Sequence, residues 1–117
     1  MNINQLIDIQ KQFDSKHRGK FDWAQKIDDE NIATLEYLLL CLVGEFGEAT
    51  NLVKKVLRGD FSLNDIKPQL SEEIADIFIY VLKLAYQLDI DIEKQFLEKV
   101  DKNKRRFLNF EMKEKDM

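Results

Sequence analysis

The longest helical pattern in the chain reads NIATLEYLLLCLVGEFGEATNLVKKVL and occupies residues 31–57. With one residue about every 100° around a helix axis, its apolar side chains gather on one arc. Glu45 falls near the centre of that arc, and Glu48 falls about 60° to one side. A carboxylate at a core position costs several kcal/mol unless it is paired or bound to a metal, so exposure to solvent explains Glu45 poorly. The arc consists of Leu35, Leu38, Cys41, Leu42, Ala49, Leu52, Val53 and Val56.

A second acidic pair follows in the next helical pattern, where Glu73 and Asp76 stand three residues apart and share a helix face. Four like charges on neighbouring helices converge only when positive charge lies between them, and divalent cations with oxygen ligands supply it. Mg²⁺ keeps coordination sites open for water and phosphate oxygens, so the pattern points to a metal-bound polyphosphate. A solvated acidic face is the ordinary explanation of Glu73 and Asp76 taken alone. Glu45 at a core position favours the metal.

The rest of the chain is also predicted to be helical. Its 117 residues include one proline and four glycines, and Leu, Ile, Lys and Glu are abundant. We predict a single all-α domain over residues 1–117, an antiparallel four-helix bundle-like fold. Residues 60–67 are predicted to form a loop, Pro68 or Ser71 to open the third helix, and residues 108–117 to form a frayed tail. The predicted helices cover about residues 3–13, 31–57, 68–88 and 91–107, with helices two to four packed as antiparallel neighbours.

Two features of the second and third helices concern their packing. The third helix is apolar over most of its circumference between Ile74 and Leu88, so it needs a further partner, most simply a second subunit. Gly44 and Gly47 each cost the second helix on the order of 1 kcal/mol relative to alanine. Close approach of a ligand or another backbone and tight helix packing explain these glycines equally well. The narrow polar strip of the third helix contains Glu73, Asp76, Tyr80, Lys83 and Gln87.

Charge and composition narrow the function classes. Eighteen basic and twenty-two acidic residues give a net charge of −4, which argues against a non-specific DNA-binding coat. The single cysteine, Cys41, excludes a disulfide framework and a cysteine-based zinc site, and we expect it to be a small core residue. The first residues lack the basic and apolar regions of a secretion signal, and the apolar run at residues 38–43 is too short to span a bilayer. We therefore expect a cytoplasmic protein with no membrane or nucleic-acid partner.

The predicted fourth helix carries a row of polar and basic side chains. Lys99, Asn103 and Arg106 follow one another at spacings of four and three residues, at the edge of its apolar face. Side chains of this kind reach and neutralise phosphate oxygens. A solvated basic stretch explains the row equally well, because three further basic residues surround it.

In these residues the chain resembles the MazG-like all-α nucleoside triphosphate pyrophosphohydrolases, which are related to dimeric dUTPases and dCTP pyrophosphatases. The motif of that family is ExxE, a spacer and ExxD. Here it reads GEFGEA at residues 44–49 and EIADI at residues 73–77, with a 24-residue spacer between Glu48 and Glu73. The segments IYVL at residues 79–82 and LDID at residues 88–91 also resemble the family, as does the basic row, so the resemblance covers about residues 31–107. ExxE alone is a weak signal, whereas the whole ordered set is fairly specific.

The resemblance implies a reaction and a metal site. The family hydrolyses (d)NTP to (d)NMP and pyrophosphate with Mg²⁺, and Mn²⁺ is the expected substitute. Carried onto this chain, the metal ligands would be Glu45, Glu48, Glu73 and Asp76. The metal would hold the phosphates and lower the pKa of the attacking water, and Glu48 would act as general base. The family forms dimers or tetramers, so the resemblance also implies a homodimer or homotetramer in which a neighbouring subunit can complete the active site.

The resemblance also implies a set of substrate contacts. Tyr80, one helical turn beyond Asp76, would position the sugar or the base, and Trp23 would stack on the base. A core position beneath the second helix is the favoured alternative for Trp23. The preferred nucleotide is not predicted. The side chains that would contact phosphate are Asn51, Lys55, Lys99, Asn103 and Arg106.

Other protein classes fit the residues less well. A ferritin-like metal-oxidising bundle needs Glu-x-x-His pairs, and the single histidine, His17, lies outside both acidic motifs. No G-x-x-x-x-G-K-[ST] sequence occurs, which excludes a P-loop enzyme. A non-catalytic helical oligomerisation or regulatory module remains open. It explains the apolar third helix but leaves Glu45 without a partner, unless a lysine of another helix supplies one.

Overall fold

The structure, a computed structural model, describes residues 1–112 and is all-α over that range, as predicted. None of its helices is long and apolar enough to cross a membrane. Residues 108–110 of the predicted tail form a 3-10 turn, and residues 113–117 lie outside the described part of the chain. The helices are α1 (Ile3–Ser15), α2 (Ile32–Leu57), α3 (Leu63–Gln87) and α4 (Ile92–Arg106), with 3-10 turns at Asp29–Asn31 and Leu108–Phe110.

The start of α3 precedes the predicted start at Pro68 or Ser71. The Ser62 hydroxyl accepts a hydrogen bond from the backbone N–H of Asp65, whose carboxylate accepts one from the backbone N–H of Ser62. This capping box satisfies two N–H groups that a helix start leaves without partners, so the loop or short turn predicted over residues 60–67 ends at Ser62 and is wrong for residues 63–67. Ser71 caps nothing, because its hydroxyl donates to a carbonyl one turn earlier in α3.

The helices α2 and α3 form the centre of the fold. They are joined by a short connection and pack against each other as an antiparallel pair, and α1 packs on α3. Gly59 follows α2 with a φ of 88°, a backbone conformation that glycine adopts most easily, and it turns the chain toward α3. The buried apolar side chains of the described residues are Ile27, Leu38, Leu52, Ile66, Leu82 and Ala85.

The fourth helix diverges from the other three. Ile92 and Phe96 of α4 face Phe78 and Val81 of α3 across an open groove of about 720 Å³. Over most of its length, α4 lies apart from α2 and α3. The antiparallel packing expected of helices two to four therefore holds between α2 and α3, and α4 contributes little to it. Periodicity identifies the apolar face of a helix but not the surface that this face meets.

The protomer is extended and exposes much apolar surface. Its radius of gyration is 18.3 Å, whereas a compact domain of this length has about 13 Å. Its accessible surface is 9331 Å², against roughly 6,700 Å² for a compact monomer of this mass. Part of this apolar surface lies on α1, on α4 and on the residues after α4, and part lies on both central helices, on the sides turned away from their mutual contact. On the central helices it includes Ile32, Leu39, Leu40, Val43 and Phe46 of α2 and Ile74 and Phe78 of α3.

Candidate metal centre

Three carboxylates converge between α2 and α3. One oxygen each from Glu45, Glu73 and Asp76 lies within 4.8 Å of the other two. Glu45 is half-buried on the face of α2 that packs against α3, and Glu73 and Asp76 share the facing side of α3. Antiparallel packing of the two helices thus brings the two acidic motifs to one place.

Two oxygens of this cluster are buried without a partner. Glu45 Oε2 and Glu73 Oε2 are inaccessible to solvent, and no hydrogen-bond donor of residues 1–112 reaches them. A buried acceptor that is left unsatisfied costs about 1–3 kcal/mol, and more when it carries a charge. The cluster therefore needs either protons or a cation.

The crowding of carboxyl groups also changes their acidity. The carboxyl groups of Glu48 and Glu45, together with burial, raise the pKa of Glu73 to about 7. Burial raises the pKa of Glu45, and the negative charges of Asp76 and Glu48 raise it further. Positive charge opposes both shifts, because it favours the ionised carboxylates. The cluster is therefore suited to releasing protons when a metal ion enters.

Glu48 lies beside the cluster rather than within it. Its side chain is exposed, one turn beyond Glu45 in α2. Its carboxyl group is next to that of Glu73, on whose pKa it has the largest effect. An exposed carboxylate at the edge of the cluster keeps an oxygen available to accept a proton from water.

The donor set fits a hard divalent cation. Glu45, Glu73 and Asp76 offer only carboxylate oxygens, which suit Mg²⁺ or Mn²⁺ better than the softer metals that prefer sulfur and imidazole. Three carboxylates also leave coordination positions for water and phosphate oxygens. The two unpartnered oxygens mark where such a cation would supply the missing partner.

A cleft leads from the carboxylates along α3 toward the connector between α1 and α2. A cavity of about 460 Å³ is lined by Glu45 and Asp76, by Tyr80 and Lys83, and by side chains of α1. A second cavity, of about 240 Å³, is lined by Trp23 of the connector and again by Tyr80 and Lys83. The two cavities share Phe13, Tyr80 and Lys83 as lining residues, so they lie side by side on the path from the carboxylates to Trp23.

Trp23 forms the wall at the far end of this path. Its ring centroid lies 4.6 Å from that of Phe21 and 6.1 Å from that of Tyr37 on α2. The residue is half-buried and lines the smaller cavity. Trp23 therefore packs against Tyr37 of α2 and also lines the smaller cavity, and its stacking on a base stays a prediction.

Two of the predicted phosphate contacts lie further along α2. Asn51 is exposed. Lys55 is half-buried and lines a small pocket with Asp65 at the start of α3. Lys55 follows Glu45 by ten residues, which is about 15 Å along the helix axis. The structure therefore does not bring Lys55 together with the carboxylates of its own chain.

The predicted contacts of α4 also lie away from the carboxylates. Lys99 lines the groove against Phe78, which points roughly 200° away from Asp76 around α3. Asn103 is half-buried, and Arg106 is exposed with its guanidinium 5.0 Å from the ring of Phe107. Within one protomer, Lys99 is thus on the opposite side of α3 from the metal centre.

A buried ion pair that the sequence patterns did not predict lies at the far end of the cleft. Asp14 of α1 is fully buried and Lys83 of α3 is 8% exposed, and Lys83 Nζ lies 3.4 Å from Asp14 Oδ1. Lys83 was visible as a member of the polar strip of α3, seven residues after Asp76 on the same face. No pattern in the sequence indicated Asp14 as its partner.

The fold and the site define a class of protein: an all-α domain whose two central helices hold an ExxE and an ExxD motif around a cluster of carboxylates that can hold a metal ion. Residues 33–109 match the family described as MazG nucleotide pyrophosphohydrolase domain, and the chain belongs to that family. The resemblance expected from the sequence is thereby confirmed.

Curated relatives support this assignment. Gene 37 protein of Mycobacterium phage L5 is 40% identical over 65 residues, which cover 54% of this chain and 57% of that protein. The dCTP pyrophosphatase 1 proteins of Homo sapiens and Rattus norvegicus are 34% and 31% identical over 90 residues, which cover 74% of this chain and 49% of each of those proteins. The chain thus spans about half the length of the curated relatives it matches. No solved structure matches it significantly.

Proposed function

We propose that this domain is a Mg²⁺-dependent nucleotide pyrophosphohydrolase that converts (d)NTP to (d)NMP and pyrophosphate through attack of water at the α-phosphate. Mn²⁺ is the expected substitute. The observation that carries the proposal is the convergence of Glu45, Glu73 and Asp76 around two buried, unpartnered oxygens in a chain of this family. The cleft beside the carboxylates provides the space for a substrate.

In this mechanism the four carboxylates have two roles, metal binding and proton transfer. Glu45, Glu73 and Asp76 hold the metal, and Glu48, exposed at the edge, helps to hold it and accepts the proton of the attacking water. Bound Mg²⁺ supplies charge stabilisation at the α-phosphate and lowers the pKa of that water. Tyr80, one turn beyond Asp76 in the same cleft, positions the sugar, and Trp23 stacks on the base.

The proposed substrate is a nucleoside triphosphate of unspecified base. Two of the relatives are named dCTP pyrophosphatase 1, which makes dCTP one member of the panel to be tested. The expectation that the protein is cytoplasmic belongs to the same proposal, as does the expectation that nucleic acids and membranes are not its partners.

We also propose that the protein works as a homodimer or homotetramer. The outer side of α2 exposes Leu40 and Val43 to 62% and 64%, and α3 exposes Ile74 to 57%. Gly44 and Gly47 lie on exposed parts of α2 with no atom within 4 Å of an added Cβ, so tight packing within the protomer does not explain them. The surface in excess of a compact monomer is of the size that obligate subunit interfaces cover.

An oligomer also accounts for the position of the basic residues. Lys99, Asn103 and Arg106 are remote from the carboxylates of their own chain, so we propose that they contact phosphate oxygens at the site of a neighbouring subunit. Lys55 and Asn51, also outside the cluster of their own chain, are assigned the same kind of phosphate contact.

The decisive experiment measures pyrophosphate release from a panel of NTPs and dNTPs, with Mg²⁺ and with a chelator. Release that requires Mg²⁺ supports the proposal, and the ranking of the panel begins to identify the base. A folded, metal-loaded protein that releases no pyrophosphate from any nucleotide would instead favour the non-catalytic helical module. Thermal unfolding adds a second criterion, because a metal centre is stabilised by Mg²⁺ through binding linkage, whereas a module without one is indifferent to it.

A further inference from the structure

The ion pair between Asp14 and Lys83 is held rigidly at the far end of the cleft. Gln10 Nε2 donates to Asp14 Oδ1 at 2.9 Å, and the Tyr86 hydroxyl donates to Asp14 Oδ2. With Lys83 at 3.4 Å, both oxygens of the fully buried carboxylate are occupied by protein groups. Asp14 therefore fixes Lys83 in place and has no free surface with which to touch a ligand.

Lys83 lines both cavities of the cleft, whereas Asp14 lines only the smaller one and is fully buried. Its Nζ lies 4.5 Å from the centroid of the Trp23 ring and 5.1 Å from that of Tyr80. An ammonium group has three N–H donors, and among residues 1–112 Lys83 makes one ion pair, with Asp14, and no side-chain hydrogen bond. The ammonium thus lies over the Trp23 ring and lines the same cavity as Trp23 and Tyr80.

The spacing along α3 relates this space to the metal centre. Lys83 follows Asp76 by two helical turns, about 10.5 Å along the axis, with Tyr80 between them on the same face. If the α-phosphate lies at Asp76 and the sugar at Tyr80, the base reaches Trp23 and Lys83. Because Lys83 is at the end remote from the phosphate, it meets the base edge that is remote from the sugar.

We propose that Lys83 determines base specificity by donating a hydrogen bond to an exocyclic carbonyl oxygen, the 4-oxo group of a pyrimidine or the 6-oxo group of a purine, of a base stacked on Trp23. Asp14 acts as the positioning residue for Lys83. An exocyclic amino group at the same ring position brings N–H donors against the ammonium and is rejected. This inference rests on the proposed function, because it takes the position of the base from the position of the phosphates.

The first test uses the unmodified protein and nucleotides that are products rather than substrates. Trp23 is the single tryptophan of the chain, so its fluorescence reports a base that stacks on it. Titrations in Mg²⁺ compare dIMP with dAMP and dUMP with dCMP, pairs that exchange an oxo group for an amino group. A charge-assisted hydrogen bond predicts about 10- to 100-fold tighter binding of the oxo member of the pair whose ring fits. Equal binding within both pairs, or no change of Trp23 fluorescence with any nucleotide, would overturn the inference.

The second test removes the donor without leaving a buried charge. Lys83→Met alone strands the Asp14 carboxylate in the core, so the variant to use is the double substitution D14N/K83M, which removes both charges. We expect it to lose the 10- to 100-fold preference for the oxo nucleotide, because the oxo nucleotides lose a hydrogen-bond donor and dAMP and dCMP no longer meet the ammonium. The matched control is K26M/D89N, which removes an exposed ion pair with an N–O distance of 3.0 Å and should leave the base ranking unchanged.

The outcomes separate this inference from the proposed function. A double variant that folds and keeps the ranking of the unmodified protein would make the Asp14–Lys83 pair a purely structural link between α1 and α3. If no nucleotide releases pyrophosphate but the oxo preference is present and depends on Lys83, the proposed reaction fails and the base-recognition site stands. If pyrophosphate is released and no base preference depends on Lys83, the reaction stands and the inference fails.

Discussion

The α2–α3 pair and α4 contrast in charge, burial and contact with the rest of the protomer. The central pair buries most of the core and holds three convergent carboxylates, two of whose oxygens have no partner. By contrast, α4 has no buried residue, carries three basic residues in its last turn and faces an open groove. The carboxylates of the central pair require positive charge, and the basic residues of α4 carry it. Within one chain, however, the two regions lie on opposite sides of α3. The comparison teaches that, under the proposed function, one chain would hold the parts of a phosphate site without assembling them.

The largest effect should come from the carboxylates of the central pair. Glu45→Gln and Asp76→Asn remove ligand charge but preserve shape, so we expect pyrophosphate release to fall by about 10³-fold or more while the helical circular dichroism is unchanged. The matched control is Glu72→Gln, an exposed neighbour of Glu73 that should retain full activity. If both variants keep full turnover, the assignment of the metal centre is wrong.

The next effect should come from the basic row of α4. Lys99→Ala and Arg106→Ala remove charge-assisted contacts to phosphate, and we expect each to lower kcat/KM by about 10- to 100-fold. Mixing refolded Arg106→Ala subunits with inactive Glu45→Gln subunits should restore part of the activity, because a mixed oligomer contains a site with both intact parts. Absence of any recovery, with exchange of subunits verified by mass, would place the basic row and the carboxylates of each site on one chain.

A smaller effect should appear in the pH dependence of the metal-free protein. The pKa of Glu73 is raised from 4.5 to about 7 in the folded state, so between these values the folded chain binds more protons than the unfolded chain. We therefore expect the melting temperature to fall as the pH rises from about 4.5 through about 7, and added Mg²⁺ to reduce this fall. Glu73→Gln should flatten the dependence; an unaltered slope in that variant would assign the proton to another group.

The smallest effect concerns the start of α3, which sets the register of the acidic motif. Ser62→Ala removes one acceptor of the capping box and should lower the free energy of unfolding by about 1 kcal/mol. Ser71→Ala is the control, because Ser71 only donates to a carbonyl within the helix. Urea denaturation of the two variants measures the difference, and equal stabilities would mean that the cap contributes nothing.

The carboxylate cluster could be predicted from the sequence because it depends on local geometry. Spacings of three residues place Glu45 with Glu48 and Glu73 with Asp76 on shared helix faces, and a short connection makes the two helices neighbours. Pro68 does not mark the start of α3, because a proline in an early turn of a helix is tolerated. The signal that marks it is the capping box at Ser62.

The features that escaped prediction depend on contacts between distant parts of the chain. Asp14 is an ordinary acidic residue at the end of α1 until the packing of α1 on α3 places it against Lys83. The outer apolar side of α2, which includes Leu40 and Val43, was not predicted, because the core-facing arc is sufficient to predict the helix. The direction of α4 is likewise not encoded in its own periodicity.

The separation of α4 from the core affects which amino-acid substitutions this protein can tolerate in evolution. All buried apolar side chains of residues 1–112 lie between Ile27 and Ala85, before α4 begins. Most substitutions are rejected because they destabilise a packed interior, and α4 has little interior to destabilise. Lys99 and its neighbours can therefore be exchanged at low cost to stability, so under the proposed function phosphate contacts would vary more easily than the carboxylates.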